Sequence, residues 1–236
     1  MSGRGAASRY RGKRAELAYG RASLRVNTLV IVGAGGHGKV CSDIADRTGC
    51  FSDIVFSDNG VAKGTRVVRW SVEYHDEDLP ALDAERHVFI LGVGQIGLGG
   101  GRQTLFERII GAGLLPTTIV SPDAMVSTSV AIGPGTFVGP MGILNVDARV
   151  GRNVIVNSRA LVEHDATVGN HSHISTAGIV NGEAVVGQRC LVGSGAVVLQ
   201  GVHVCDDVVI GAGAVVTHTI EEPGTYAGVP ARKIHD

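Results

Sequence analysis

Every sixth residue from Val120 to Val216 is Val, Ile or Leu, 17 positions without an exception. Val126, Ile132, Val138, Leu144, Val150, Val156 and Val162 open the run, and Val204, Ile210 and Val216 close it. Such residues make up roughly a quarter of an ordinary chain, so chance does not supply the series. A period of six fits neither an α-helix, at about 3.6, nor a lone strand, at about 2. It fits a prism with three flat sides, one hexad per side, whose successive turns stack at about 4.8 Å. Seventeen hexads then make nearly six turns.

The rest of each hexad agrees. Four places after the aliphatic residue stand mostly small residues, among them Ala124, Thr136, Gly142, Ala148, Ala160 and Ala166, interrupted by Val130, Val154, Val202, Val208 and Ile220. The aliphatic side chain is expected to point into the prism and the small one to fit near its corner. Directly after the aliphatic position stand Gly133, Gly139, Gly151, Gly169, Gly187, Gly193 and Gly211, expected to relieve backbone crowding where the chain turns. This explains an otherwise odd composition, 35 glycines with 4% aromatics.

Net charge is −1, which gives no global pull toward nucleic acid or an anionic membrane. No apolar stretch is long enough to span a bilayer. Four cysteines without a CxxC pairing suit a reducing cytoplasm. Residues 1–26 carry Arg4, Arg9, Arg11, Lys13, Arg14, Arg21 and Arg25 against the single acid Glu16, and they lack a continuous apolar core before a cleavage site. They are expected to be a flexible basic tail.

Ahead of the prism, Thr28 to Val32 reads as a buried strand, followed by Gly33-Ala-Gly35-Gly36-His37-Gly38 and a helix from Lys39 to about Thr48. A second strand runs through Ile54 to Phe56 and ends at Ser57-Asp58-Asn59, and a third from Val88 to Leu91 ends at Gly92-Val-Gly94-Gln95. This predicts a Rossmann-like βαβ module over residues 27–117, with the β-helix over 118–236. Glycines between strand and helix let phosphate oxygens approach backbone N–H groups. Asp58, 20 residues past Gly38, would suit a dinucleotide ribose, but the module is about half of a dinucleotide domain.

Within the prism, Glu163-His164-Asp165 stands out, since Val162 and Ala166 are the inward pair and the triplet must lie outside or at a corner. Flanking carboxylates orient an imidazole and raise its basicity. His164 and His173 are nine residues apart, half a turn of 18, and therefore lie on different sides. One chain could hardly bring both to one substrate; neighbouring prisms in a trimer could. Cys190 at an inward position and Cys205 without a base in its hexad disfavour a covalent acyl intermediate.

From Thr28 to Arg232 the chain resembles the bacterial nucleotide-sugar acyltransferases, the bacillosamine-type 4-amino-sugar N-acetyltransferases and the related sialic-acid acyltransferases. The motif G-[AS]-x-G-H-G-K and the closing G-x-P-A-[KR], here Gly228-Val-Pro-Ala-Arg232, carry the likeness together with the hexapeptide repeat. The resemblance implies a left-handed prism and an acetyl-CoA-dependent N-acetyltransferase, needing no metal, that acts on the amino group, at C4, of a nucleotide-linked amino-deoxy sugar. It implies that Gly35, Gly36 and His37 face the phosphates, Asp58 and Asn59 the nucleotide, and Gly94 the third-strand end. Two acids are frequent where this chain has Asp58-Asn59, and the base stays open. His164 would be the general base, supported by Asp165 where Glu is common; Asn157 would hold the substrate, His173 contact the acyl-CoA, and the Gly182 N–H stabilise the oxyanion. Ser194 and Ala212 would line the coenzyme A groove. His171, His203 and His218 match no role and are expected at the surface, and Arg102 is left without one. Alternatives are O-acetylation of a sialic-acid-like sugar, a non-catalytic nucleotide-binding scaffold, and metal-dependent hydration using His164, His171 and His173.

Overall fold

A computed structural model describes residues 28–95, 97 and 100–235; the basic segment 1–26 lies outside them. The first module is built on β1 (Thr28–Val32), α1 (Gly36–Thr48), β2 (Asp53–Ser57), β3 (Arg66–Val67), β4 (Trp70–Tyr74), β5 (His87–Leu91), α2 (Gly101–Gly111) and β6 (Leu115–Pro116). Its sheet has the order β3-β4-β2-β1-β5-β6, parallel except for the β3–β4 hairpin. The βαβ expectation holds, with the helix starting three residues earlier than Lys39. The β3–β4 hairpin and α2 were not anticipated.

Strand periodicity splits the core. Leu29, Ile31, Ile54, Phe56 and Ile90 pack on α1 with Cys41 and Ile44, whereas Val30, Val32, Val55, Phe89 and Leu91 pack with Phe106 and Ile109 of α2. At the strand ends three backbones converge. A Cβ added to Gly38 would lie 2.0 Å from the Gly33 carbonyl oxygen, and one added to Gly92 would lie 2.5 Å from the same atom. The turn from β1 into α1 therefore accepts no side chain at either place.

The second module is a left-handed parallel β-helix. Its first face stacks strands such as Phe137–Val138, Ile155–Val156 and His173–Ile174; its second, Ile143–Leu144, Leu161–Val162 and Ile179–Val180; its third, Arg149–Val150, Thr167–Val168 and Val185–Val186. Pairing is in register at every step of 18 residues. From Val138 to Val216 the predicted aliphatic series is at most 4% exposed, each side chain contributing about 1.5–3 kcal/mol. Val120, Val126 and Ile132 are only half-buried, because the first turn has no turn stacked beyond it.

The corners refine the glycine argument. From Gly135 to Gly213 the left-handed residue of each corner comes three places after the aliphatic one, with φ between 52° and 62° at Met141, Asp147, Asn153, Arg159, Asp165, His171, Ala177, Glu183, Arg189 and Asp207. Its N–H bonds the preceding turn, as in Asp165 N–H to Val146 O (3.0 Å) and His171 N–H to Arg152 O (2.9 Å), offsetting the strain. The glycines directly after the aliphatic position have ordinary φ. They answer instead to stacking: a Cβ on Gly193 would stand 2.6 Å from Ile210 O, on the next turn.

The modules meet on the first face. Its outward residues Ile119, Phe137 and Ile155, 18 apart, share one core with Ile31, Cys41, Ile44 and Phe56. The outward residues of the second face, Met125, Ile143, Leu161, Ile179, Val197 and Val215, are also all apolar and are exposed or half-buried.

Candidate active site

His164 lies at the corner between the second and third faces. Its Nδ1 is 2.9 Å from Asp165 Oδ2, and both side chains are about half exposed (48% and 56%). The left-handed backbone at Asp165, φ 60°, is the corner residue itself. With the proton on Nδ1, that N–H donates a hydrogen bond to the carboxylate and Nε2 is left as the base. The hydrogen bond to Asp165 raises the His164 pKa, with Glu163 and Glu183 adding to it. Glu163 itself is a brace: its Oε2 accepts from Asn145 Nδ2 (2.8 Å) and from the His164 N–H (3.1 Å).

Eighteen residues on, Gly182 stacks beneath His164. A Cβ there would be 2.6 Å from both Cε1 and Nε2 of the ring, so only glycine leaves the imidazole its place. On the two turns before it the N–H at this position is capped by a side chain: Asn145 Oδ1 takes Val146 N–H, and Glu163 takes His164 N–H. Asn181 instead turns its amide to Val198 O, and no acceptor for the Gly182 N–H occurs among the described residues. A free donor thus stands beside a free base.

His173 is elsewhere. It projects from the first face, 8% exposed, its Nδ1 3.2 Å from Gln95 O and its Nε2 3.4 Å from Asn157 Nδ2. Burial, with Arg102 nearby, brings its pKa down to about 4. Asn157 is held at both ends, since its Oδ1 accepts the Ser158 N–H at 2.7 Å. Ser194 and Ala212 lie exposed on adjacent turns at the same corner as Asn157, Ser194 being 3.0 Å from Ser175 Oγ. The residues singled out in the prism therefore fall into two groups on one chain, His164–Asp165–Gly182 and Asn157–His173–Ser194–Ala212, on either side of the apolar second face.

Gly35, Gly36, Asp58, Asn59 and Gly94 all follow directly on β1, β2 and β5, at the carboxyl end of the sheet. Gly35 and Gly36 are exposed, with open space around both. Asp58 fixes this loop by accepting the Ala34 N–H on Oδ2 (2.8 Å) and the Gly60 N–H on Oδ1 (2.8 Å). Asn59 accepts from Asp76 N–H (2.8 Å) and lines a cleft of about 440 Å³ with His75, Leu79, Arg108 and Ile109. His37 is turned away from the open loop. Its ring packs edge-on against Phe137 at 5.0 Å and its Nε2 is 3.6 Å from Cys41 Sγ, and burial lowers its pKa to about 3.

Residues 28–109 match the PglD N-terminal domain family, and residues 183–218 match the hexapeptide repeat of succinyl-transferase. The acetyltransferase domain of PglB from Neisseria gonorrhoeae FA1090 is 30% identical, with a TM-score of 0.82, over 88% of this chain and 100% of that one. The chain belongs to the bacterial hexapeptide-repeat sugar N-acetyltransferases. The same PglB domain is also known in complex with acetyl coenzyme A. PerB from Caulobacter crescentus, in complex with CoA and GDP-perosamine, is 30% identical, with a TM-score of 0.80, over 90% of this chain and 99% of that one. No curated protein matches by sequence.

One expectation for this acyltransferase needs correction, and one residue left open gains a place. His171 is not a surface residue: it is 2% exposed, its Nδ1 2.9 Å from Asn153 Nδ2, its ring against Phe106 of α2. Packing under the first module removes it from water and lowers its pKa to about 4. Arg102, left without a role, is 6% exposed and bonds Val93 O and both oxygens of Asn153. The signal that could have found them is the 18-residue column Asn153, His171, Arg189, Asp207, polar at each rung. Cys190 is buried as expected, its thiol pushed up to about 12.

Among the described residues no helix is long and apolar enough to cross a membrane.

Proposed function

We propose that this enzyme transfers the acetyl group of acetyl-CoA to the C4 amino group of a nucleotide-linked amino-deoxy sugar, in the cytoplasm, with His164 as general base. The observation that carries the reading is the His164 ring, its Nδ1 on Asp165 and its Nε2 set over Gly182. Residues 27–117 bind the nucleotide sugar and residues 118–236 carry the acyl transfer. Gly35 and Gly36 take the phosphates on backbone N–H groups. Asp58, Asn59 and Gly94 border the nucleotide, with the cleft beside Asn59 for the base, and His37 supports the loop from behind. The complex of PerB with CoA and GDP-perosamine supports this choice of substrates.

In the reaction the sugar amine attacks the thioester carbonyl while His164 Nε2 takes the amine proton, a contribution of about 10²–10⁴-fold. The C–N bond forms as the carbonyl oxygen becomes an oxyanion, which the Gly182 N–H stabilises by roughly 3–4 kcal/mol. The C–S bond then breaks and coenzyme A leaves as its thiolate, whose parent thiol has a pKa of about 8.5, near that of cysteine. No residue of the chain becomes acylated. Asn157 holds the sugar, His173 presents a neutral edge to the acyl-CoA, and Ser194 and Ala212 line its groove.

In this reading the two groups of residues are half-sites that do not face each other within one chain, and the complete site lies between chains. The apolar second face between them is where a neighbouring prism would pack, giving a homotrimer with three shared sites. Turnover with a panel of 4-amino nucleotide sugars, alongside sedimentation, tests both statements. Acetylation of at least one by a trimer is expected; full activity in a monomer would overturn the shared site.

A further inference from the structure

Arg102 is the second residue of α2, and its side chain runs back beneath the loop that follows β5. Nε donates to Val93 O at 2.9 Å, Nη1 to Asn153 O at 2.7 Å and Nη2 to Asn153 Oδ1 at 2.7 Å. That uses three of the five guanidinium N–H groups. No carboxylate pairs with it among the described residues. The ionisable groups that sense it are His37, His173, His171 and Cys41. Burial keeps all of these neutral near pH 7. A full positive charge is therefore buried among carbonyls and neutral rings, an arrangement that is costly unless something compensates it.

The surroundings indicate where the compensation enters. His37, within electrostatic reach of Arg102, directly follows the exposed pair Gly35–Gly36 at the start of α1. That helix has no side-chain cap and no acid in its first turn. The loop Arg102 holds also reaches the β-helix: two residues past Val93, Gln95 takes His173 on its carbonyl and gives its Nε2–H to Arg189 O at 2.9 Å.

We propose that Arg102 is a positioning residue whose buried charge is the counter-charge for the diphosphate of the nucleotide sugar. It acts without touching the reacting atoms, from behind Val93, whose carbonyl it holds and whose side chain closely flanks Gly33 at the start of the loop that leads to Gly35 and Gly36. The inference rests on the nucleotide-sugar reading above.

Calorimetric titration of the full chain with UDP, dTDP and GDP, and with the corresponding nucleosides, tests it. The wild type should bind one nucleoside diphosphate. Arg102→Gln should weaken that binding by about 10–100-fold while changing nucleoside binding and the KM for acetyl-CoA less than about twofold, as expected for loss of one charge in a partly shielded site. Arg102→Lys, which keeps the charge and loses the fork, should retain most of the preference for diphosphate over nucleoside. If Arg102→Gln does not fold, Arg102→Lys set against Asn153→Ala decides, both being expected to keep the preference. Equal loss of nucleoside and diphosphate binding in Arg102→Gln, or loss of the preference in Arg102→Lys, would reduce Arg102 to a structural tie and overturn the inference. A wild type that binds none of the diphosphates would instead overturn the nucleotide-sugar reading, and this inference with it.

Discussion

Two corners of the same prism carry histidines in almost the same backbone setting and put them to opposite uses. His164 stands one place before its left-handed corner residue, half exposed, with a carboxylate on Nδ1. His171 is itself the left-handed residue of the next corner, 2% exposed, hydrogen-bonded to Asn153 and edge-on to Phe106. The hexad supplies both with identical scaffolding, a left-handed turn bonded to the turn before it. The difference is cover. The first module seals the corner of His171 and drives its pKa down to about 4, whereas the corner of His164 stays open to solvent and Asp165 moves its pKa up. Position in the repeat fixes geometry; the neighbouring module fixes chemistry.

The sharpest way to break this contrast is to remove each ring in turn. His164→Ala should lower kcat by about 10²–10⁴-fold while coenzyme A binding, followed by calorimetry, stays within about twofold. Undiminished kcat would falsify its assignment as the base. Gly182→Ala comes next. Its methyl group would occupy the place of the His164 ring, and a displacement of about 1 Å at a catalytic group costs about 10²-fold. Turnover should fall by that order with little change in Tm. A variant as active as the wild type would mean that the ring does not work from its position over Gly182.

His171 should report through stability rather than turnover. Its folded pKa, about 4, lies below the ordinary value of about 6.5, as do those of His37 and His173. Between those limits the unfolded chain binds protons that the folded chain refuses. The stabilisation is complete above about pH 6.5 and is lost as pH falls toward 4, at up to about 1.4 kcal/mol per pH unit for each histidine. Urea unfolding between pH 7 and 5 should show the decline, and His171→Asn should flatten it by about a third. An unchanged slope would mean that His171 is protonated in the fold. His164 has the opposite sign, and its exposure makes its effect on stability small.

How legible these corners were follows from what a period can encode. The aliphatic series dictated the β-helix, because inward positions see only other inward positions of the same repeat. The same register put His164 outside, beside Asp165, and the structure has it there. His171 and Arg102 escaped because their environment is completed by residues far along the chain: Phe106 and Glu107 for one, Asn153 for the other. Outward apolar residues 18 apart mark a face that needs cover, Ile119, Phe137 and Ile155 on the first face as Met125, Ile143 and Leu161 on the second. Only the three-dimensional docking says by what. His37 shows the same limit, since its motif fixes the loop but not which way the ring turns.

The smallest effect belongs to Asp165, and it separates orientation from basicity. Asp165→Asn keeps a side-chain oxygen able to accept from Nδ1–H, so the ring should hold its place and kcat at its pH optimum should fall only a few-fold. What must change is the charge. The raised pKa of His164 comes first from its bond to the Asp165 carboxylate, then from the field of that charge. Without it the imidazole loses its proton at lower pH. A base works only when unprotonated, so the acidic limb of kcat against pH, which reports the enzyme–substrate complex, should move to lower pH in the variant. The corner of His171 predicts no such movement, because burial and cationic neighbours set its titration and Asp165 is not among them. An acidic limb unmoved in Asp165→Asn would therefore assign it to some group other than His164, and the distinction between the open and the covered corner would lose its kinetic meaning.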